Sequence, residues 1–221
     1  MLQHLKTIIT IFCISTLFTS CNLLGYDLQQ DAVYHALPAN RKTNMSVMDF
    51  MKSRPDLFSS MLIAIDSAKL GNLYVSEGNT FLLLTNTALS DMTSSNSYFK
   101  KHPVTGVANP NWSNYPVSQI KELLYYHVVK GTYTFEQMLS YDIYWGTTYS
   151  ETDSITNKMG FSISLTSNDL QIQSNKATIS APLTVEQLLP RTPGLICTNS
   201  GAVHVMDRYI EKPSKIQLGI K

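Results

Sequence analysis

The sequence predicts an α+β domain with a mostly antiparallel sheet or sandwich. Apolar residues recur at helical spacing in the first part of the chain, between Met45 and Leu70. The second part alternates apolar and polar residues, as in Phe161–Leu165 and Leu170–Ile172, which is typical of half-buried strands. Helices and strands do not follow each other in regular βαβ order, which argues against a parallel sheet covered on both faces.

The first twenty residues resemble a bacterial lipoprotein signal peptide. The apolar stretch Thr7–Phe18 is about a dozen residues long, too short for a membrane-spanning helix of about 20. Small side chains at Thr19 and Ser20 then precede Cys21, whose thiol would carry a lipid that anchors the protein to a membrane. An ordinary secretory signal with an incidental cysteine is the alternative.

Three regions follow from this interpretation: a signal peptide (residues 1–20), a lipidated N-terminus and tether (21–43), and one domain (44–215). The formal net charge is +1 and no cluster of basic residues exceeds a pair, which argues against a nucleic-acid partner. Of three cysteines, only Cys197 would stay free in the mature chain, too few for a disulfide framework or a cysteine zinc site.

Local signals place the first helices. Ser46 is a candidate cap for a helix that carries Met48 and Met51, and Pro55 is suited to the first turn of a second helix. Gly71 is predicted to stop that second helix. The polar stretch Thr93–Pro116 is predicted to be a long surface loop.

Short apolar or alternating runs predict the strands. A helix from Ser118 to Tyr126 is expected to lead directly into a strand, and Ser167–Asp169 is expected to be the turn of a hairpin. The predicted strands are Thr80–Leu84, Tyr126–Val129, Phe161–Leu165, Leu170–Ile172, Ala177–Ser180, Gly194–Thr198 and Ala202–Ile210.

No local catalytic signature is present. The sequence lacks the nucleophile-elbow, phosphate-loop, zinc-protease and dinucleotide-binding patterns, and the mature histidines His35, His102, His127 and His204 have no paired spacing. We therefore expect no enzyme, no cofactor and no metal site. A hydrolase whose site assembles from distant residues is the alternative, and a deep pocket holding His102 would favour it.

Two aromatic stretches are candidate binding sites. Trp112 and Tyr115 lie in NPNWSNYP, and Tyr144 and Trp145 lie in YDIYWGTTY. Exposed rings flanked by amide and hydroxyl groups suit a sugar face or a protein partner. The alternative is that these rings close the ends of the core.

Three stretches of the chain carry motifs that occur together, in this order, in one known family. TFLLLTNTAL (Thr80–Leu89, the first segment) is similar to the family's first motif, with matches that include Thr85 and Asn86. LLYYHVVKGTYT (Leu123–Thr134, the second segment) is similar to its tyrosine-histidine segment. SGAVHVMDRYIEKP (Ser200–Pro213, the third segment) resembles its closing motif. Matched positions in the second and third segments include Tyr126, His127, Gly131, His204 and Asp207. Together the three segments resemble the fasciclin domain.

The resemblance implies a compact fold in which N-terminal helices pack on a β-sandwich or wedge, with a role in adhesion or in matrix and glycan binding. The matched residues would then be structural, and a buried His127 would pair with a backbone carbonyl or with side chains near Thr85 and Asn86. We expect a lipid-anchored, non-catalytic module on the bacterial outer membrane that binds a glycan or an envelope protein. A pure scaffold of an outer-membrane glycan-uptake complex is the alternative.

Overall fold

The chain folds into helices and one mixed sheet. The computed structural model describes residues 42–134, 137–138, 142–150, 156–163, 170–174, 190, 192–197 and 200–214. Within these ranges the helices are α1 (Val47–Ser53), α2 (Pro55–Ala68), α3 (Asn86–Leu89), α4 (Tyr98–Lys101) and α5 (Val117–Tyr126), with 3₁₀ turns at Leu73–Val75 and Trp112–Asn114. The strands are β1 (Lys42–Thr43), β2 (Asn79–Leu84), β3 (Val128–Lys130), β4 (Tyr144–Thr148), β5 (Lys158–Ile163), β6 (Leu170–Ser174), β7 (Thr192–Cys197) and β8 (Gly201–Met206).

The first two helices begin where the sequence predicts. The Ser46 hydroxyl accepts a hydrogen bond from the Asp49 N–H at 3.1 Å and caps α1, and Pro55 occupies the first turn of α2. The predicted stop at Gly71 is wrong. Lys69 takes the left-handed conformation instead (φ 56°), and the N–H groups of Lys69 and Leu70 bind carbonyls of the last turn, which closes α2 before Gly71.

The described strands form one sheet in the order β1-β7-β8-β2-β3-β4-β5-β6. Only the pairs β1–β7 and β2–β8 are parallel, so the α+β class and the mostly antiparallel sheet are confirmed. All six residues of β2 are buried, because helices cover this central strand and β3 and β8 flank it. β5 and β6 alternate apolar and polar residues in the sequence, yet the polar side chains of Ser162 and Gln173 are buried as well.

Several predicted boundaries shift by a few residues. The pairing of Ile163 with Leu170 confirms the hairpin of β5 and β6, although its turn lies outside the described residues, as does the predicted strand Ala177–Ser180. β8 ends at Met206 rather than Ile210, because Asp207 turns to bind a side chain next to β2. None of the described helices is long and apolar enough to cross a membrane.

Candidate functional site

The three segments that resemble one family lie side by side at the centre of the sheet. The first segment contains β2, the second contains β3, and the third contains β8, so each of the outer two strands pairs with β2. Side chains also join them. Thr85 Oγ1 donates to Asp207 Oδ1 at 2.8 Å, and the His204 ring hydrogen bonds through Nε2 to the Tyr133 carbonyl at 2.8 Å. The segments therefore form one structural unit.

His127 is completely buried at the C-terminal end of α5. Its Nε2 accepts the Ile210 N–H at 2.9 Å, so the ring proton is on Nδ1 and is donated to the Leu123 carbonyl at 2.8 Å. The expected pairing with a backbone carbonyl is confirmed, and the expected pairing near Thr85 and Asn86 is wrong. Burial lowers the pKa of His127 to about 4, although the bond to Leu123 opposes this shift. The ring is neutral at pH 7 and holds the last turn of α5.

Thr85 and Asn86 bind other elements instead. Thr85 caps α3 by accepting from the Ala88 N–H at 3.4 Å, in addition to its bond to Asp207. The Asn86 side chain joins α3 to α2, since its Oδ1 accepts the Ser60 N–H at 2.9 Å. The polar atoms of both side chains are thus bonded to α2, α3 and Asp207, and those of the His127 ring to Leu123 and Ile210.

Of the other positions that carry the resemblance, Tyr126 and His204 are buried and Gly131 is exposed. The Tyr126 ring is buried and its hydroxyl donates to the Lys158 carbonyl at 3.3 Å. Gly131 has a φ of 99°, a backbone conformation that residues with a side chain rarely adopt, and its N–H donates to the Gly78 carbonyl at 3.0 Å. His204 is fully buried in β8. Cys21 lies outside the described residues.

The predicted exposure of Trp112 and Tyr115 is wrong. Both rings are about 95% buried because the loop 93–116 folds inward around α4 and forms an aromatic cluster with Tyr98 and Phe99. The indole N–H of Trp112 donates to the Ser60 carbonyl at 2.8 Å, which fixes the loop to α2. Neither ring offers an open face to a ligand.

Tyr144 and Trp145 lie on β4 and remain half-buried. Trp145 faces Gly160 across the β4–β5 pair, and its ring covers the space that a side chain at Gly160 would occupy. Tyr144 faces Phe161 and packs on the core. Part of each ring stays open to solvent, so these two residues keep a surface that a partner could contact.

A groove of about 250 Å³ lies beside α5 and contains His102; we call it the His102 groove. Its walls come from α4, α5 and the segment 209–212. The Gln119 amide donates from Nε2 to the Tyr98 hydroxyl at 2.8 Å, and the Tyr209 hydroxyl lies 3.3 Å from His102 Nε2. Burial lowers the pKa of His102; the nearby Glu211 opposes this shift and Lys101 adds to it. The lining residues that carry polar side-chain atoms are Tyr98, His102, Gln119, Glu122, Tyr126, His127, Tyr209, Glu211 and Lys212.

Charges at one end of the His102 groove are already paired. The Lys212 ammonium forms a salt bridge with Glu122 and donates to the Ser150 hydroxyl at 2.6 Å. The Ser150 hydroxyl in turn donates to Glu122 Oε1 at 2.5 Å. This network ties the C-terminal segment to α5 and leaves Ser150 buried. It holds the wall of the groove in place.

A second groove of about 440 Å³ lies between α2 and the loop residues Pro110–Ser113; we call it the serine groove. Its lining contains no charged side chain. Five serines and Asn111 border a floor formed by Phe99, Pro110 and Trp112. Only edges of Phe99 and Trp112 reach this groove, since both rings are almost fully buried.

The His102 groove was not predicted from the sequence beyond the mention of His102. Its residues come from three stretches that no local spacing connects, so no periodicity or short motif could have indicated it.

Among the described residues there is no group of three metal-ligating side chains, and burial raises the pKa of the Cys197 thiol to about 11. No protein-family model and no curated protein matches the chain.

Proposed function

We propose that the chain is a fasciclin-like, non-catalytic binding module that a lipid on Cys21 anchors to the bacterial outer membrane. The observation that carries this proposal is the meeting of the three segments as adjacent strands β3, β2 and β8. Stretches that lie far apart in sequence and match one family's motifs in order also lie together in space. The finer β-sandwich or wedge description of the fold belongs to the same proposal.

The binding role is supported by the His102 groove. It brings the polar atoms of Tyr98, His102 and Gln119 beside the apolar side chains of Leu123 and Ile210, and small-ligand sites combine polar atoms with apolar walls in this way. The half-buried rings of Tyr144 and Trp145 offer a second surface, which suits a protein partner. A glycan or an envelope protein would thus have a place to bind on the described part of the chain.

The test compares binding by the wild-type chain with binding by two surface variants. The full chain, in a polyoxyethylene detergent without a sugar headgroup, is applied to glycan arrays and used in envelope pull-downs. Gln119→Ala probes the His102 groove and Trp145→Ala probes the β4 surface. We expect at least one ligand or partner that one of the variants loses. Finding none in either assay would overturn the proposed binding role.

The anchor has its own test. Radiolabelled palmitate should be incorporated into the wild-type chain, and Cys21→Ser should abolish the label and release the protein from the membrane fraction. Equal membrane association of both chains without label would contradict the lipid anchor. A scaffold without a ligand is the alternative role, and there both surface variants would keep every partner.

A hydrolase is the second candidate, because the His102 groove holds a histidine. Against it, His102 lies beside the Tyr209 hydroxyl, and the buried Ser150 hydroxyl donates to Glu122. No serine, threonine or cysteine is among the described residues that line the groove, so His102 has none of these nucleophiles to activate. We expect no turnover of nitrophenyl esters or nitrophenyl glycosides above that of a His102→Ala variant. Turnover that this variant loses would favour the hydrolase.

A further inference from the structure

Two grooves are candidates for a ligand, and their free hydrogen-bonding capacity differs. In the serine groove the hydroxyls of Ser67, Ser90 and Ser113 already donate to groups of the protein, and Ser60 accepts from Trp112. The donors that remain include the Ser59 hydroxyl, which only accepts from Asn86, and the Asn111 amide, and both belong to exposed side chains that water already hydrates. A polar ligand would therefore gain little specificity in the serine groove.

The His102 groove keeps unused capacity. The Tyr98 hydroxyl accepts from Gln119, so its own proton has no partner among the described residues. The Gln119 amide uses one of its two N–H protons for that bond, which leaves one donor and the Oε1 acceptor. A hydroxyl and an amide side by side can each give and accept a hydrogen bond, which suits two neighbouring hydroxyl groups of a ligand.

The size and charge of the groove narrow the ligand class. A volume of about 250 Å³ is at the small end for ligand pockets, enough for one sugar ring but not for a long chain. Lys212 is paired with Glu122, and the other carboxylate in the lining is Glu211, so no lysine or arginine of the lining is left for an anionic ligand. A phosphate ester or a uronate would lack a counter-charge and would lose its hydration.

The arrangement of the aromatic rings in the groove argues against a nucleobase as the ligand. The rings of Tyr98 and Tyr209 meet edge to face, with centroids 5.3 Å apart and planes at 82°. No parallel slot lies between them, so a nucleobase could not stack on both. A saturated ring with apolar C–H groups and equatorial hydroxyls fits such walls better.

We propose, on the basis of the binding role above, that the His102 groove binds one terminal unit of a neutral saccharide, with Gln119 and the Tyr98 hydroxyl contacting adjacent sugar hydroxyls. The apolar side of the sugar lies against Leu123 and Ile210, which line the groove. Uncharged hexoses are the ligands, and uronates are excluded.

The test uses saturation-transfer NMR and calorimetry on the full chain in the polyoxyethylene detergent. The probes are glucose, galactose, mannose and N-acetylglucosamine, each with oligomers that carry it at the end, and glucuronate and galacturonate as anionic counterparts. We expect one neutral sugar to bind at least about tenfold more tightly than the uronates. Gln119→Ala should weaken that binding at least about tenfold, the loss expected for one to two hydrogen bonds.

Matched variants keep the outcome clear. Tyr98→Phe keeps the ring and removes only the hydroxyl, so it should also weaken binding even if Gln119→Ala perturbs α5. Ser113→Ala in the serine groove should leave the affinity unchanged. Binding that survives both groove variants, or that only Ser113→Ala reduces, would overturn the assignment, as would a preference for uronates. Absence of any saccharide binding while a Trp145-dependent protein partner is retained would refute the saccharide alone and leave the binding module standing.

Discussion

Replacing His127 by glutamine should remove a pH dependence of stability that we expect of the wild-type chain. The buried ring is neutral in the folded protein, where its pKa is about 4, and an unfolded chain has a histidine pKa of about 6.5. The unfolded state therefore binds more protons between these two values. The stability that His127 contributes is complete above about pH 6.5 and falls as the pH is lowered towards 4.

The size of the effect follows from these two pKa values. Between about pH 7.5 and about pH 5, protonation of the unfolded histidine lowers the free energy of unfolding by about 2 kcal/mol. Glutamine cannot titrate, and its side-chain oxygen stays within reach of the Ile210 N–H. The Leu123 carbonyl loses its donor, so the variant should be less stable at pH 7.5 by about 1–3 kcal/mol.

Urea unfolding at several pH values measures both effects. The difference in free energy of unfolding between wild type and His127→Gln should shrink by about 2 kcal/mol from pH 7.5 to pH 5. His102→Gln is the matched control. The His102 ring is less buried than the His127 ring, so the stability difference between this variant and wild type should shrink less as the pH falls. If the difference in free energy of unfolding between wild type and His127→Gln stays constant with pH within about 0.5 kcal/mol, the ring is not neutral and buried in the folded protein.

Three further substitutions test the packing. Tyr74→Phe should raise the free energy of unfolding by about 1 kcal/mol, because the buried Tyr74 hydroxyl has no partner among the described residues. Thermal unfolding measures this change, and a stability that is unchanged or lower would mean that the hydroxyl is paired. Gly201→Ala should cost about 3 kcal/mol, since its φ is 147° and a Cβ would lie 2.0 Å from the Asn79 carbonyl oxygen. Gly71→Ala, with open space around it, is its control and should cost nothing measurable in urea. Trp112→Phe should lower the free energy of unfolding by about 2 kcal/mol and leave ligand affinity unchanged. Unchanged stability with weaker ligand binding would instead make Trp112 a binding residue.

The helix starts and the central strand could be predicted from the sequence because their signals are local. A capping hydroxyl at Ser46, a proline at position 55 and the apolar run of Thr80–Leu84 each act through neighbours a few residues away. The end of α2 could not be predicted from the sequence, because Lys69 adopts the left-handed conformation that a glycine usually supplies.

The site was harder to predict because its contacts are distant in sequence. The partner of His127 Nε2 is the Ile210 N–H, 83 positions away, and nothing in either stretch indicates the other. Trp112 sits among polar residues that predict a surface loop, yet its indole N–H finds a carbonyl on α2 and the ring turns inward. Composition describes the average environment of a loop and not the direction of one side chain.

The parallel pairing of β2 with β8 has a consequence for how the protein folds. The Thr85–Asp207 bond beside this pair joins residues 122 positions apart, so β2 stays open on one side until β8 has been made. Such a contact is costly in loop entropy and forms slowly, which favours late closure of the central sheet. A chain that lacks β8 would expose the apolar face of β2 along an unpaired edge and would be prone to aggregate.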